Sequence, residues 1–381
     1  MASYLQLGHD SWNLLEEPDI GDYAGLVLSP VNDAPADVAN RLARLVELRD
    51  ELEVILDPQM YNPAFEKGKM DEWAYFSSDY ETADQGDVNW WAQRGHEIVE
   101  QGAQLGVDAV CSPAFVPRLF TDAYYAFMVE VADAMKHHAD GRGQQTLLTA
   151  IVSLRDLNNP SRALSIASIL SRSSCDRIYL MFLNQDIPAR QPMKDEAGLP
   201  TAVHLVRLLS EAMRVHVAFA SHDLVLWKFA GATDISTGKY MNLRRFSPGR
   251  WNDEEAGGRQ VAYWNEGPLL ARLREADVAK LNRQGWFDDR IFESNPAGAR
   301  ILEIIRSGEK VAWLKLSWMQ YLRWASNIES KWHGDAAAVE TGLLSADHNW
   351  GLLSDVLFQD RFNDGSHVRD WINAIREGRR R

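Results

Sequence analysis

The chain has 381 residues, 46% of them hydrophobic and 25% charged, a composition that supports a large buried core and excludes a disordered protein. With 40 Lys and Arg against 54 Asp and Glu, the formal net charge is -14, which disfavours extended, non-specific nucleic-acid binding. The two cysteines, Cys111 and Cys175, form no CxxC pair. The opening MASYLQLGHDSWNLLEEPDIGD lacks a basic start and an apolar run, and no stretch approaches the roughly 18 apolar residues of a membrane span, so a soluble, cytoplasmic protein without membrane contact is expected.

In chain order, short apolar runs alternate with segments of helical period. That order is the signature of βα units. GLVLSP (25–30) precedes the helical ADVANRLARLVELR (36–49), and EVILDPQ (53–59) precedes an insertion rich in aromatic and acidic residues (60–91) and a helix from about Asn89. DAVCSP (108–113) is followed by a helix with Tyr124, Phe127, Met128, Val131 and Met135 on one face. TLLTAIVSL (146–154) leads to a helix opened by Pro160, and RIYLMFLN (177–184) to one led by Pro200. VHVAFA (215–220), TDIST (233–237) and QVAYWN (260–265) complete eight runs, the last followed by the helical PLLARLREADVAKL. Near-continuous apolar character implies strands covered on both faces, so the pattern predicts an α/β fold, a (β/α)8 TIM barrel.

Three regions follow: an N-terminal segment (1–24), the barrel (25–295) and a helical C-terminal extension (296–381). In the extension, Val311, Leu314, Trp318, Tyr321, Leu322, Ala325 and Ile328 recur at three- and four-residue spacing, which predicts an amphipathic helix of about six turns. Its apolar stripe suits the barrel wall or a protein partner, and exposed Trp313 and Trp324 would mark the latter.

Active sites of such barrels lie at the carboxyl ends of the strands. The polar residues there are Asn32, Asp33, Asp57, Ser112, Arg155, Asp156, Asn184, Asp186, His222, Asp223, Lys239 and Glu266. Asp57 ends a buried run, where desolvation favours a general base, although an aspartate before Pro58 also suits a turn. His222 is placed to carry a proton, or simply to face solvent while Ser221 or Asp223 caps the next helix. Glu266 would pair with Asp57 as the acid and base of glycosyl chemistry, or favour a helix start ahead of Pro268.

Lys239, Asn242, Arg244 and Arg245 gather beyond the run 233–237, where barrels often hold phosphate; the arginines would otherwise pair with acids of the insertion. Trp264 stands beside Glu266 as a stacking surface. The insertion's Tyr61, Phe65, Trp73, Tyr75, Phe76, Tyr80, Trp90 and Trp91 suit a lid over a base or sugar, or a satellite core. The histidines form no HxH or HxxxH pair near a strand end, so neither a metal site nor a cofactor is expected.

Two stretches resemble the tRNA-guanine transglycosylase superfamily, barrel enzymes that exchange a guanine at a glycosidic bond. VILDPQMY is similar to that family's Asp-Ser-Gly-Gly-Phe strand motif, with Asp57 matching the Asp. ASHDLVLWKFAGATDISTGKYMNLRRF is similar to its short helix, glycine, strand and basic loop. Pro58, Gln59, Met60 and Tyr61 replace Ser-Gly-Gly-Phe, the position of the nucleophilic Asp falls near Ser236 or Thr237 with Asp234 two residues early, and the Cys-x-Cys-x-x-Cys zinc motif is absent.

The resemblance implies a shared barrel and a base-binding pocket. The function expected is therefore an enzyme binding a nucleobase, nucleotide or other phosphorylated small molecule and acting at a glycosidic or related bond. In that reading Asp57, His222 and Glu266 carry chemistry, and Asn32, Ser112, Asp156, Asn184, Lys239, Asn242, Arg244, Arg245 and Trp264 hold the ligand. The competing expectation is a degenerate barrel that binds a partner through its Trp-rich C-terminal helices.

Overall fold

A computed structural model describes residues 2–17, 19–185, 187–247, 249, 260–290, 294–332 and 335–381. Eight parallel strands close into a barrel in sequential order: β1 (Ala2–Gln6), β2 (Gly25–Leu28), β3 (Glu53–Leu56), β4 (Ala109–Cys111), β5 (Gln145–Ser153), β6 (Arg177–Leu183), β7 (Arg214–Val217) and β8 (Asp234–Thr237). The ring closes where β1 pairs with β8, Tyr4 opposite Ser236 and Leu5 opposite Thr237. The barrel is flanked by helices on its outside and carries additional C-terminal ones, which establishes the (β/α)8 fold.

The expected eighth run is corrected. Residues 260–265 do not enter the barrel; β9 (Trp264–Glu266) forms a separate antiparallel pair with β10 (Ala271–Leu273), and the helix expected from Pro268 begins only at Glu275. The missing strand is β1, inside the segment assigned ahead of the barrel. It reads poorly because its inward positions are Tyr4 and Gln6, so no apolar run marks it.

Tyr4 belongs to a charged plug at the amino ends of the strands. Arg177, fully buried, pairs with Glu53 at 2.8 Å and Asp234 at 3.1 Å, and lies 3.0 Å from His216 Nδ1. The Tyr4 hydroxyl donates to Glu53, and its ring lies under the Arg177 guanidinium. Each charge has an opposite partner, the condition under which a buried ion is tolerated.

The helices are α1 (Pro35–Leu42), α2 (Val46–Arg49), α3 (Val88–Leu105), α4 (Asp122–Asp140), α5 (Ser161–Leu170), α6 (Gly198–Ser210), α7 (Leu224–Phe229), α8 (Glu275–Arg283), α9 (Pro296–Ser307), α10 (Leu314–Lys331), α11 (Ala336–Leu352) and α12 (Ser366–Arg380). In α12, Val368, Trp371, Ile372 and Ile375 form the buried stripe that packs on α6, and the Trp371 indole N–H donates to the Met193 carbonyl at 2.7 Å.

The amphipathic helix of the extension is α10, shorter than expected: Val311 precedes it and is half exposed. It packs on α9, β9 and β1, and the Gln320 amide bridges both backbone groups of Asn265 at 2.8 and 3.1 Å. Trp313, whose exposure would have marked a partner site, is buried, and the Trp324 ring lies tilted against His222, 4.7 Å between centres. The insertion is a satellite core rather than an open lid. Trp73 donates to the Asp33 carbonyl and Tyr75 to the Pro58 carbonyl, which ties it to the ends of β2 and β3.

Candidate functional site

The chain after β8 turns back over the barrel mouth, and two glycines permit it. A Cβ on Gly238 would stand 2.6 Å from the Gln6 carbonyl and from Leu243, and one on Gly8 would stand 2.7 Å from Leu243. The returning loop carries Lys239, Asn242, Arg244, Arg245 and Phe246. Phe246 plugs the mouth, edge-on to Tyr61 at 5.1 Å and to Phe219 at 5.5 Å.

Beside this loop opens a cleft of about 1090 Å³. Its wall includes Asn32, Lys239, Asn242 and Arg244 of the expected residues, together with Gly8, His9, Lys67, Arg190, Tyr263, Arg274 and Trp318. Five cations and, among the described residues, no carboxylate line it, in a protein of formal charge -14. Arg274 is neutralised from behind by Asp360 at 2.9 Å.

Lys239 and Arg244 have no ion pair among the described residues. Arg244 donates to its own loop, to the Gly238 and Lys239 carbonyls at 2.8 Å each, and stacks on Tyr321 with 3.3 Å to the ring centre. Lys239 Nζ lies 4.6 Å from the Trp318 ring centre and 4.8 Å from that of Tyr240. Burial lowers the Lys239 pKa to about 8 and that of Arg244 to about 9.

Arg245 and Arg272 lie beneath the loop, and burial depresses both, Arg245 to about 10. Arg245 donates to the Gln191 carbonyl while its Nε and Nη1 have no partner among the described residues. Arg272 donates to the Arg190 carbonyl at 3.0 Å. The expectation that acids of the insertion would neutralise this basic segment is not met among the described residues. Desolvated cations answered by carbonyls, rings and, for Arg245 and Arg272, the charge of buried Asp223 outside ion-pair distance are costly, and an anion would relieve the cost.

Asp57 lies fully buried at the end of β3 and outside the cleft wall. Its Oδ1 accepts from the Tyr61 hydroxyl at 2.7 Å and the Gln59 N–H at 3.0 Å, and the Tyr179 hydroxyl reaches Oδ2 at 3.4 Å. A chain of contacts leads from it to the cleft: Ser29 Oγ donates to Gln59 Oε1 at 3.1 Å, and Asn32 donates to Ser29 Oγ at 2.6 Å. Gln59 and, at the end of β7, Phe219 hold φ of +56° and +57°, a left-handed strain of about 1–3 kcal/mol each that clusters at functional sites.

His222 is buried, its Nε2 2.6 Å from Asn265 Oδ1. Burial, followed by the charge of Arg272, holds its pKa well below the ordinary value, so the ring is neutral.

Other expected site residues are engaged elsewhere. Glu266 is corrected from a catalytic acid to a structural one: it lies outside the barrel, where Arg290 at 2.5 Å, Trp264 at 2.7 Å and Trp286 at 3.2 Å occupy its carboxylate. Trp264 is buried against Phe287 and is no stacking surface. Asp156 pairs with Arg162 at 3.1 Å on the outer rim. Ser112 Oγ accepts the Thr149 N–H at 2.9 Å, a latch between β4 and β5, and Asn184 donates to the Lys194 carbonyl at 3.2 Å. Asp234, near the position expected of a nucleophile, is in the plug at the opposite end of β8 from Lys239. Asp186 lies outside the described residues.

The sequence reading missed Arg190, Arg272, Tyr263 and Trp318. Arg190 lies between Pro188 and Pro192 after β6, a loop the rim rule covers; Arg272 and Tyr263 were hidden by the misassigned eighth strand.

Fold and site together define a closed (β/α)8 barrel with a basic cleft at its carboxyl rim. The sequence matches no protein-family model and no curated protein. Among solved structures the chain is similar to D-psicose 3-epimerase with D-tagatose from Clostridium cellulolyticum H10, at 9% identity over 62% of this chain and 84% of that one, with a TM-score of 0.37. It is also similar to type I 3-dehydroquinate dehydratase from Clostridium difficile, at 10% identity over 66% and 89%, TM-score 0.38. A third is a xylose isomerase domain protein from Planctomyces limnophilus, at 11% identity over 63% and 90%, TM-score 0.35. Likeness this remote concerns the barrel alone; the strand pairing of the chain itself carries the assignment.

Proposed function

We propose that this barrel is an enzyme that binds a nucleotide or related phosphorylated small molecule in the cleft and acts at its glycosidic or related bond. The observation that carries the reading is a set of buried cations at the barrel mouth, Lys239, Arg244, Arg245 and Arg272, without carboxylate partners among the described residues. Phosphate supplies the acceptors they lack, and Trp318, Tyr240 and Tyr263 offer aromatic faces for a base.

The glycosidic part of the proposal rests on Asp57 and on the transglycosylase resemblance. With Glu266 held by Arg290, one carboxylate remains in the role: Asp57 stabilises positive charge at the sugar carbon, while His222, kept neutral by burial, serves as a hydrogen-bonding group. Movement of Phe246 would uncover Asp57.

The test is titration calorimetry with inorganic pyrophosphate, nucleoside diphosphates and their uncharged nucleosides. Phosphorylated compounds should bind, and Arg244→Ala should weaken them at least about tenfold, the loss of one charge-assisted bond. Equal binding of the uncharged parents would overturn the reading. Release of free base from a bound nucleotide, abolished in Asp57→Asn, would establish the reaction type; its absence across the nucleotides that bind would remove the glycosidic part.

A further inference from the structure

Resting on the reading of the cleft as an anion site, Lys239 stands out. Its side chain is 97% withdrawn from solvent (3% exposed), yet it forms part of the cleft wall. The amine is clamped between Trp318 and Tyr240 and has neither a carboxylate nor a hydrogen-bond acceptor among the described residues. Asp10, the acid among the described residues whose charge it feels, is exposed and lies 3.1 Å from His9. The Lys239 carbonyl holds the Arg244 guanidinium, which fixes a second cation one loop turn away. No carboxylate in the described site therefore retains a proton on this amine by direct pairing, which leaves the faces of Trp318 and Tyr240 as its neighbours, and an anion seat adjoins it.

We infer that Lys239 is a carbonyl-capturing amine that forms a reversible imine with the aldehyde or ketone group of an anionic, phosphorylated ligand. The Nζ lone pair attacks the carbonyl carbon, the C=O π pair moves to oxygen, and the two amine protons leave with that oxygen as water. A C=N bond replaces C=O without oxidant or reductant. Arg244 holds the anionic end, and the rings of Trp318 and Tyr240 shield the imine from hydrolysis. Burial, by lowering the amine pKa to about 8, leaves an appreciable neutral fraction near neutral pH.

The experiment treats the full chain with pyridoxal 5′-phosphate, reduces with borohydride, and locates the label by peptide mass spectrometry. Pyridoxal without phosphate and competition by pyrophosphate run in parallel. Lys239 should be labelled at least about tenfold more readily than exposed lysines such as Lys310, as its lower pKa requires, and pyrophosphate should protect it. Lys239→Arg should lose the label.

Labelling spread over surface lysines without preference for Lys239, in protein that binds pyrophosphate, overturns the imine and leaves the anion site standing. Preferential labelling of Lys239 that pyridoxal matches and pyrophosphate does not prevent upholds the amine and sinks the anion reading. Because the labelling is read on the unaltered chain, the outcome does not depend on a variant folding.

Discussion

A buried lysine with no ion pair among the described residues is a cost to folding that function can explain. Lys239→Met removes a desolvated charge and no hydrogen bond, so its melting temperature should equal or exceed that of the unaltered protein. Pyrophosphate should stabilise the unaltered chain by about 2.7 kcal/mol at a hundredfold excess over Kd, and the variant markedly less. Scanning calorimetry of both, with and without pyrophosphate, checks this; a large destabilisation by Lys239→Met would identify the residue as structural.

Histidines govern the acid limb at the same scale. Burial depresses His216 and His222 far below the ordinary value and His367 to about 4. Below about pH 6.5 the unfolded chain takes up protons that the folded chain refuses, so stability present above that pH is lost as pH falls, by up to about 1.4 kcal/mol per unit for each such group. For His367 the loss runs from about 6.5 down to about 4. Denaturant midpoints across this range should fall steeply; a flat profile would refute neutral burial of these rings.

Among the elements, the plug and the terminal helix carry separable stability. Arg177→Met leaves Asp234 with Arg214 alone and Glu53 with the Tyr4 hydroxyl alone in the barrel floor and should cost about 3 kcal/mol, with the phosphate-binding rim left intact. Trp371→Ala, on the face of α12 that grips α6, should cost about 3–5 kcal/mol through the cavity it leaves. Denaturant titration measures both, and a neutral Trp371→Ala would mean that α12 is not a clasp.

Legibility also divided by element. β2 to β8 were readable because a parallel strand covered on both faces must be apolar along its length. β1 was not, since Tyr4 faces a polar interior whose groups, Glu53, Arg177, His216 and Asp234, lie on β3, β6, β7 and β8, far along the chain. Trp264 and Glu266 looked like a strand end because their local pattern is a strand; they form one, but in the separate pair with β10.

For the whole molecule, charge is arranged against its average. A formal charge of -14 with a cation-lined cleft should repel long polyanions and focus small ones. Pyrophosphate affinity should therefore drop as ionic strength rises from about 0.1 M to about 1 M, where the screening length shrinks from about 10 Å to about 3 Å, though less than for a fully exposed site because the cations are buried. An affinity independent of salt would argue against the site.

What the sequence determined by itself is the barrel and the basic loop after β8, because strand patterning and residues adjacent in the chain are local properties. Tertiary structure alone decided which eight strands close the ring, that Arg290 consumes Glu266, and that no described carboxylate pairs with Lys239 or Arg244. A charge becomes a site through what folding brings beside it and what it withholds, and that is settled only when segments distant in the chain are packed together.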